Sequence, residues 1–301
     1  RRSPCFEVKK VAKKLSYKIN MTLKLIEKVE RRFPIRRVET RTGIISYRES
    51  GTSNDRVIVL LHGIGSASGS WLGQLDKLSS DYHVIAWDAP GYGASTALLN
   101  DRPNATDYAE VLINFLLSLE IKPYVIIGHS LGALMAGAYA VNNGAIGLAL
   151  ILANPANGYG AADKSERDLK LSTRLANMKT LGPQGLAEAR SSALLSVDAS
   201  DEALELVRWN MSMLSVGSHS QAAHMLASGN LMEDAARYSG PVLVMCGAAD
   251  TVTPEEGSKK IAAAYSNGHY QTLPGVGHAS YVEDPTLFNS TVISFVERLN
   301  A

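Results

Sequence analysis

A serine, an aspartate and a histidine, each placed just past an apolar run, are the chemistry-bearing residues of this 301-residue chain. Gly128-His129-Ser130-Leu131-Gly132 follows the run Tyr124-Val125-Ile126-Ile127. It opens a small-residue segment, Ala133-Leu134-Met135-Ala136-Gly137-Ala138-Tyr139-Ala140. A strand that turns sharply into a helix strains its central residue and exposes that side chain at the tip. Glycines two before and two after relieve the crowding. A lone Gly-x-Ser-x-Gly is weak, because both residue types are common; between a buried strand and a helix it is far more specific. The competing reading is a glycine-rich turn with a passive serine.

A serine nucleophile needs a base, a group to orient that base, and donors for the oxyanion. Arg56-Val57-Ile58-Val59-Leu60-Leu61 reads as a buried strand ending in His62-Gly63-Ile64-Gly65. The backbone N–H groups of Ile64 and Leu131 are the expected oxyanion donors, one such donor being worth about 3–4 kcal/mol in a transition state. Pro241-Val242-Leu243-Val244-Met245-Cys246-Gly247 is another strand, and Asp250 lies a few residues beyond it. Open α/β sheets place ligands and catalytic groups at that edge. His269-Tyr270-Gln271-Thr272-Leu273 then leads into Pro274-Gly275-Val276-Gly277-His278. Ser130 is thus the expected nucleophile, His278 the base and Asp250 its orienter.

These motifs carry a resemblance. The chain resembles the α/β-hydrolase superfamily over roughly residues 38–300. The matching stretches are His62-Gly63 with Gly65, Asp88-Ala89-Pro90-Gly91-Tyr92-Gly93-Ala94-Ser95, Gly128-His129-Ser130-Leu131-Gly132, Gly247-Ala248-Ala249-Asp250, Gly277-His278 and Tyr281-Val282-Glu283-Asp284-Pro285. The order serine, aspartate, histidine is the superfamily's own. The resemblance implies a mostly parallel central sheet flanked by helices, with an inserted helical cap. The motifs are specific for the superfamily and poorly specific for substrate.

Other polar residues have plainer readings. Asp88 heads a Pro-Gly-x-Gly turn, which suits a turn-forming aspartate better than a second catalytic carboxylate. His62 sits at a tight turn beside an oxyanion donor and reads as structural. His129 neighbours the nucleophile but points elsewhere, as a packing or pocket residue. Asp234 rivals Asp250 as orienter, yet lies before its strand. Gly63-Ile64-Gly65 and Gly91-Tyr92-Gly93 lack the third glycine of a dinucleotide loop. His219 and His224, five apart, miss the i, i+4 spacing of a metal pair. No cofactor and no metal are expected.

Net charge is +1, but residues 1–41 hold 14 Lys/Arg against 4 Asp/Glu, a balance of +10 that leaves −9 for the rest. Val8, Val11, Leu15 and Ile19 fall on helical spacing, so the head could serve as a membrane-surface or nucleic-acid arm. The reading adopted is a solvated, silent head. Residues 1–20 are expected to be an extension preceding a plausible start at Met21, and residues 1–37 a basic N-terminal extension. The two cysteines, Cys5 and Cys246, suggest no disulfide framework. No apolar run is long enough to span a membrane, and no secretory leader is visible. A cytoplasmic setting is expected, with a small-molecule substrate and no nucleic-acid partner; the oligomeric state is not legible.

A first hairpin is expected at 38–48, with strands at 57–61, 83–87, 124–127 and 146–152 and helices at 70–79, 107–119 and 130–142. Such alternation calls for a mainly parallel sheet covered on both faces. Residues 157–236 break the rhythm, with helices over Arg167–Met178, Pro183–Ser196, Ser200–Leu214 and Ser218–Leu226. They are expected to form the cap, inserted between core segments 38–156 and 237–301, the latter with helices near 254–265 and 285–299. The compact cap and motif set are similar to the 3-oxoadipate enol-lactonase-like and small-esterase branch, which implies a serine hydrolase cleaving a small ester or lactone through an acyl-enzyme. Meta-cleavage C–C hydrolases usually show Asn where His129 stands and Gly-Pro-Gly where Ile64-Gly65-Ser66 stands. Cofactor-free haloperoxidases share the triad. The fold also serves as a non-catalytic ligand-binding scaffold.

Overall fold

The structure, a computed structural model, describes residues 20–142 and 147–299. Expectations that fall on residues 1–19, the amphipathic spacing among them, lie outside the described residues.

Eight strands form one sheet: β1 (Arg36–Thr40), β2 (Gly43–Ser50), β3 (Val57–Leu61), β4 (His83–Trp87), β5 (Val125–His129), β6 (Ala149–Ala153), β7 (Val242–Gly247) and β8 (Gly268–Leu273), in the order β1-β2-β4-β3-β5-β6-β7-β8. The hairpin β1–β2 is antiparallel, as is β2 on β4; every pairing from β4 to β8 is parallel. Every residue of β3, β5, β6 and β7 is buried. That is why these strands read as continuous apolar runs rather than as alternating ones. Successive side chains serve opposite faces. Val57, Val59 and Leu61 join one apolar layer, Ile58 and Leu60 the other.

The first layer holds α3 (Ala105–Ser118) and α4 (Leu131–Asn142). Asn104 caps α3 in a capping box with Asp107, satisfying N–H groups that have no intrahelical acceptor. Helix α4 is buried from Leu131 to Ala140, which explains its small apolar composition all round. The second layer holds α2 (Leu72–Lys77), α10 (Ser280–Glu283), α11 (Pro285–Arg298) and the helix at 20–32, here α1. Leu25, Val29 and Phe33 are buried in that layer. Arg48, 2 % exposed, pairs with Glu30 and donates to the carbonyl of Phe33. Residues 20–33, part of the stretch read as a basic extension, are therefore packed onto the core.

Between β6 and β7 lie α5 (Lys164–Arg190), α6 (Asp201–Ser212), α7 (Val216–Ser228) and the short α8 (Leu231–Ala235), the last not foreseen. Gly182, at φ +64, breaks α5 in the middle. Pro183 then starts its second half, where a missing N–H costs nothing. Helix α5 packs on α6 and α7. After β7, α9 (Glu255–Ala264) returns the chain to β8.

Candidate active site

Strand β5 keeps pairing with β6 to its last residue, His129 opposite Ala153. Ser130 therefore stands at the carboxyl edge of the sheet, with α4 starting at the next residue. Its φ is +52. A non-glycine residue held there costs of order 1–3 kcal/mol, and surrounding structure must enforce it. The enforcement comes from both sides: Ser130 donates its N–H to the Ala153 carbonyl and accepts from the N–H of Ala156 and Ala133. The flanking glycines are demanded by contact. A Cβ on Gly128 would lie 2.4 Å from the carbonyl oxygen of Gly132, and one on Gly132 would lie 2.2 Å from that of Leu61.

The structure brings Ser130, His278 and Asp250 together from three segments. Ser130 Oγ lies 3.0 Å from His278 Nε2, and His278 Nδ1 lies 2.9 Å from Asp250 Oδ2. With the proton on Nδ1, His278 donates to the carboxylate and accepts from the serine hydroxyl. All three are buried. Asp250 Oδ1 accepts from the N–H groups of Val252 and Thr253. Its Oδ2 also accepts from Asn154 Nδ2 and Thr253 Oγ1, each at 2.8 Å. Burial opposes the charge on Asp250, but the hydrogen bonds from His278, Asn154 and Thr253 outweigh it and hold the carboxyl well below the usual carboxylate range.

The expected oxyanion donors flank the serine. Leu131 is the first residue of α4, where the leading N–H groups lack intrahelical acceptors and the dipole favours negative charge. The turn carrying Ile64 approaches from β3: a Cβ on Gly63 would lie 3.1 Å from Ser130 Cβ. The Ile64 carbonyl accepts from Tyr92 OH at 3.0 Å.

The remaining polar residues have structural settings. His62 Nε2 accepts from the N–H of Ala89, so its Nδ1 donates to the Gly63 carbonyl; burial depresses its basicity. Asp88 accepts from Ser46 Oγ and the N–H of Ser68, tying β2 and the β3–α2 turn to the end of β4. His129 donates from Nε2 to the His278 carbonyl. Asp234 sits on α8 against Gly137 of α4, apart from the triad. Among the described residues, no group of three or more His, Cys, Asp or Glu could hold a metal, and no helix is long and apolar enough to cross a membrane.

The inserted helices reach this edge. Leu194 accepts from the N–H of Ala279, and Glu283 Oε2 accepts from the N–H groups of both Ser196 and Gly277. The loop bearing His278 is thus tied to the segment joining α5 and α6. Met211 of α6 lies over the Ile64 turn, its Cε 3.0 Å from where a Cβ on Gly65 would stand. A cavity of about 500 Å³ opens behind Tyr281, among α1, α2, α6 and α11; none of Ser130, Asp250 or His278 lines it.

Residues 58–291 match the alpha/beta hydrolase family. The chain belongs to that family. It is 27% identical over 258 residues to "Putative carbamate hydrolase RutD" of Enterobacter cloacae, covering 79% of this chain and 90% of the relative. It superposes on an esterase from Thermogutta terrifontis with a TM-score of 0.75 at 21% identity, covering 89% of this chain and 99% of that one. The corresponding values for an enol-lactonase from Burkholderia xenovorans are 0.77, 21%, 87% and 100%. These two likenesses establish the fold. Asn154, Thr253 and Ser280, which surround the triad, carry no local motif; Thr253 lies three residues past Asp250, whereas Asn154 meets Asp250 and Ser280 from a distant segment.

Proposed function

We propose that the protein is a serine hydrolase acting on a small ester or lactone through an acyl-enzyme. The observation that carries this reading is the continuous chain Ser130–His278–Asp250, at 3.0 and 2.9 Å, beside a helix N-terminus. Ser130 Oγ attacks the carbonyl carbon as His278 Nε2 takes its proton. Asp250 holds the imidazole tautomer and stabilises the imidazolium. The N–H groups of Ile64 and Leu131 receive the negative oxygen. His278 then returns the proton to the leaving group, and water activated by the same imidazole releases the acid. Helices α5 to α8 act as the cap; the position of Met211 and the tether at Leu194 and Ser196 support this.

A carbamate presents the same acyl centre, and the likeness to RutD favours including it as a second substrate class. The test is labelling with a fluorophosphonate followed by turnover of p-nitrophenyl esters, lactones and carbamates. One adduct on the peptide containing Ser130, lost in Ser130→Ala together with turnover, is expected. Labelling or turnover that survives in the variant overturns the assignment. Stoichiometric binding without turnover in the wild type would instead favour a ligand-binding scaffold.

A further inference from the structure

We infer that Asn154 is a positioning residue for the candidate triad: one side-chain amide clamps Asp250 and the loop of His278 into a single register. The inference rests on the proposed triad and adds to it a residue that neither touches substrate nor transfers a proton.

Asn154 immediately follows β6 and is fully buried, with φ +48. Its Nδ2 donates to Asp250 Oδ2 at 2.8 Å and to the Gly277 carbonyl at 3.3 Å, while its Oδ1 accepts from Ser280 Oγ at 2.6 Å. Gly277 and Ser280 bracket His278. The amide therefore touches the carboxylate and both flanks of the imidazole-bearing residue at once. Its orientation is fixed by chemistry: a flipped amide would set oxygen against the carboxylate. The backbone completes the clamp. The Asn154 N–H donates to the Met245 carbonyl of β7.

Two effects follow. The donor on Oδ2 fixes which carboxylate direction is left for His278 Nδ1. It also disperses charge that would otherwise act wholly on the imidazole. Removing it should loosen the geometry and strengthen the pull of Asp250 on an imidazolium. The other titratable groups close to this pair include His129 and Cys246, and Glu283, which accepts from the N–H of Gly277. Burial holds His129 neutral, down to about 3, and pushes the Cys246 thiol up to about 12. Neither His129 nor Cys246 changes charge across the working range, so an acid limb of kcat/KM moved by variants that keep Glu283 reports the pair itself.

The experiment compares Asn154→Gly, Ser280→Ala and Ser130→Ala with the wild type, measuring kcat, KM, the kcat/KM pH profile and Tm. Glycine adopts φ +48 freely, so the first variant removes the amide without adding backbone strain. It should lose roughly 10²-fold in kcat, the scale of a misplaced catalytic group, with KM within about twofold. Its acid limb should move to higher pH. Ser280→Ala leaves the Asn154 backbone untouched and should show a smaller loss and a shift of the same sign. If Asn154→Gly does not fold, Ser280→Ala alone decides. Wild-type kcat and an unmoved limb in the folded variants overturn the clamp. If Ser130→Ala keeps its turnover, the triad reading itself falls; if only the Asn154 and Ser280 variants behave as wild type, the clamp alone falls.

Discussion

The imidazole of His129 donates from Nε2 to the backbone carbonyl of His278 across 2.9 Å, so the residue before the candidate nucleophile holds the loop that carries the candidate base. The two rings lie 4.9 Å apart, and Tyr281 packs 4.7 Å from His129 on another side. Since Nε2 must be the donor, Nδ1 is left as a buried atom with no hydrogen-bond partner among the described residues. His129→Leu keeps the apolar packing and removes the donor, stranding a buried carbonyl at a cost of about 1–3 kcal/mol. A lower Tm and a kcat reduced roughly tenfold are expected. His129→Gln restores an N–H of similar reach and should recover most of both. If the leucine variant matches wild type in both measurements, the contact is incidental.

Asp250 and Asp234 should separate cleanly. Asp250→Asn removes the partner of His278 Nδ1 and should cost roughly 10⁴ in turnover. Asp234→Asn should leave turnover unchanged but alter stability with pH. Burial raises the Asp234 carboxyl to about 6, with Arg237 opposing and Glu233 reinforcing the shift. The folded state thus keeps a proton that the unfolded chain, near 3.8, gives up. This contribution is present below about pH 4 and is lost as pH rises to about 6. The asparagine variant cannot lose it. Its Tm should exceed wild type at pH 7–8 and match it near pH 4. Comparable loss of turnover in both variants would leave the orienting acid unassigned.

Helix α1 should behave as part of the body. Phe33 is buried against the second apolar layer, and Arg48, beneath it, depends on Glu30 for a charged partner. Phe33→Ala is expected to cost about 3–5 kcal/mol, read from urea unfolding midpoints. A chain beginning at Ile35 should lose at least as much, while one beginning at Met21 should keep its Tm. An unchanged midpoint after removal of residues 21–34 would show the helix to be an appendage.

What was legible in the sequence divides along physical lines. Buried parallel strands advertise themselves, and β3 and β4 fall on the expected residues. Strand β5, expected at 124–127, starts one residue later and ends two residues later, because pairing to Leu152 and Ala153 overrides the glycine at 128. The restart at Pro183 falls where expected, while the first half of α5 runs past the expected end at Met178 up to Gly182. The five-residue α8 was not legible, being too short to carry a helical period. Ser130, Asp250 and His278 could be placed because each follows a strand end. Asn154 is joined to Asp250 across 96 positions and to Ser280 across 126; only the folded sheet makes those pairs. The docking of α1 was hidden by its charge, since Lys24, Lys28, Arg31 and Arg32 share the helix with its apolar residues.

The last prediction concerns the charge of the substrate. A carboxylate-bearing enol-lactone calls for an arginine at the pocket, because the planar guanidinium can grip a carboxylate with two N–H groups. Arg190 and Arg208 are two arginines carried by the inserted helices. Arg190 is exposed at the end of α5. Arg208 is half-buried on α6 and is held by Glu205, whose other oxygen accepts from Thr22 of α1. Turning Arg208 toward a substrate would leave the buried Glu205 carboxylate without its cation, a costly exchange. What α6 does hold against the Ile64 turn is the apolar side chain of Met211. A small neutral ester, lactone or carbamate should therefore be preferred over its carboxylate-bearing analogue. The measurement is kcat/KM for such a matched pair. A preference of tenfold or more for the acid, abolished by Arg208→Ala or Arg190→Ala, would reverse the assignment and favour an enol-lactone acid or a C–C substrate instead.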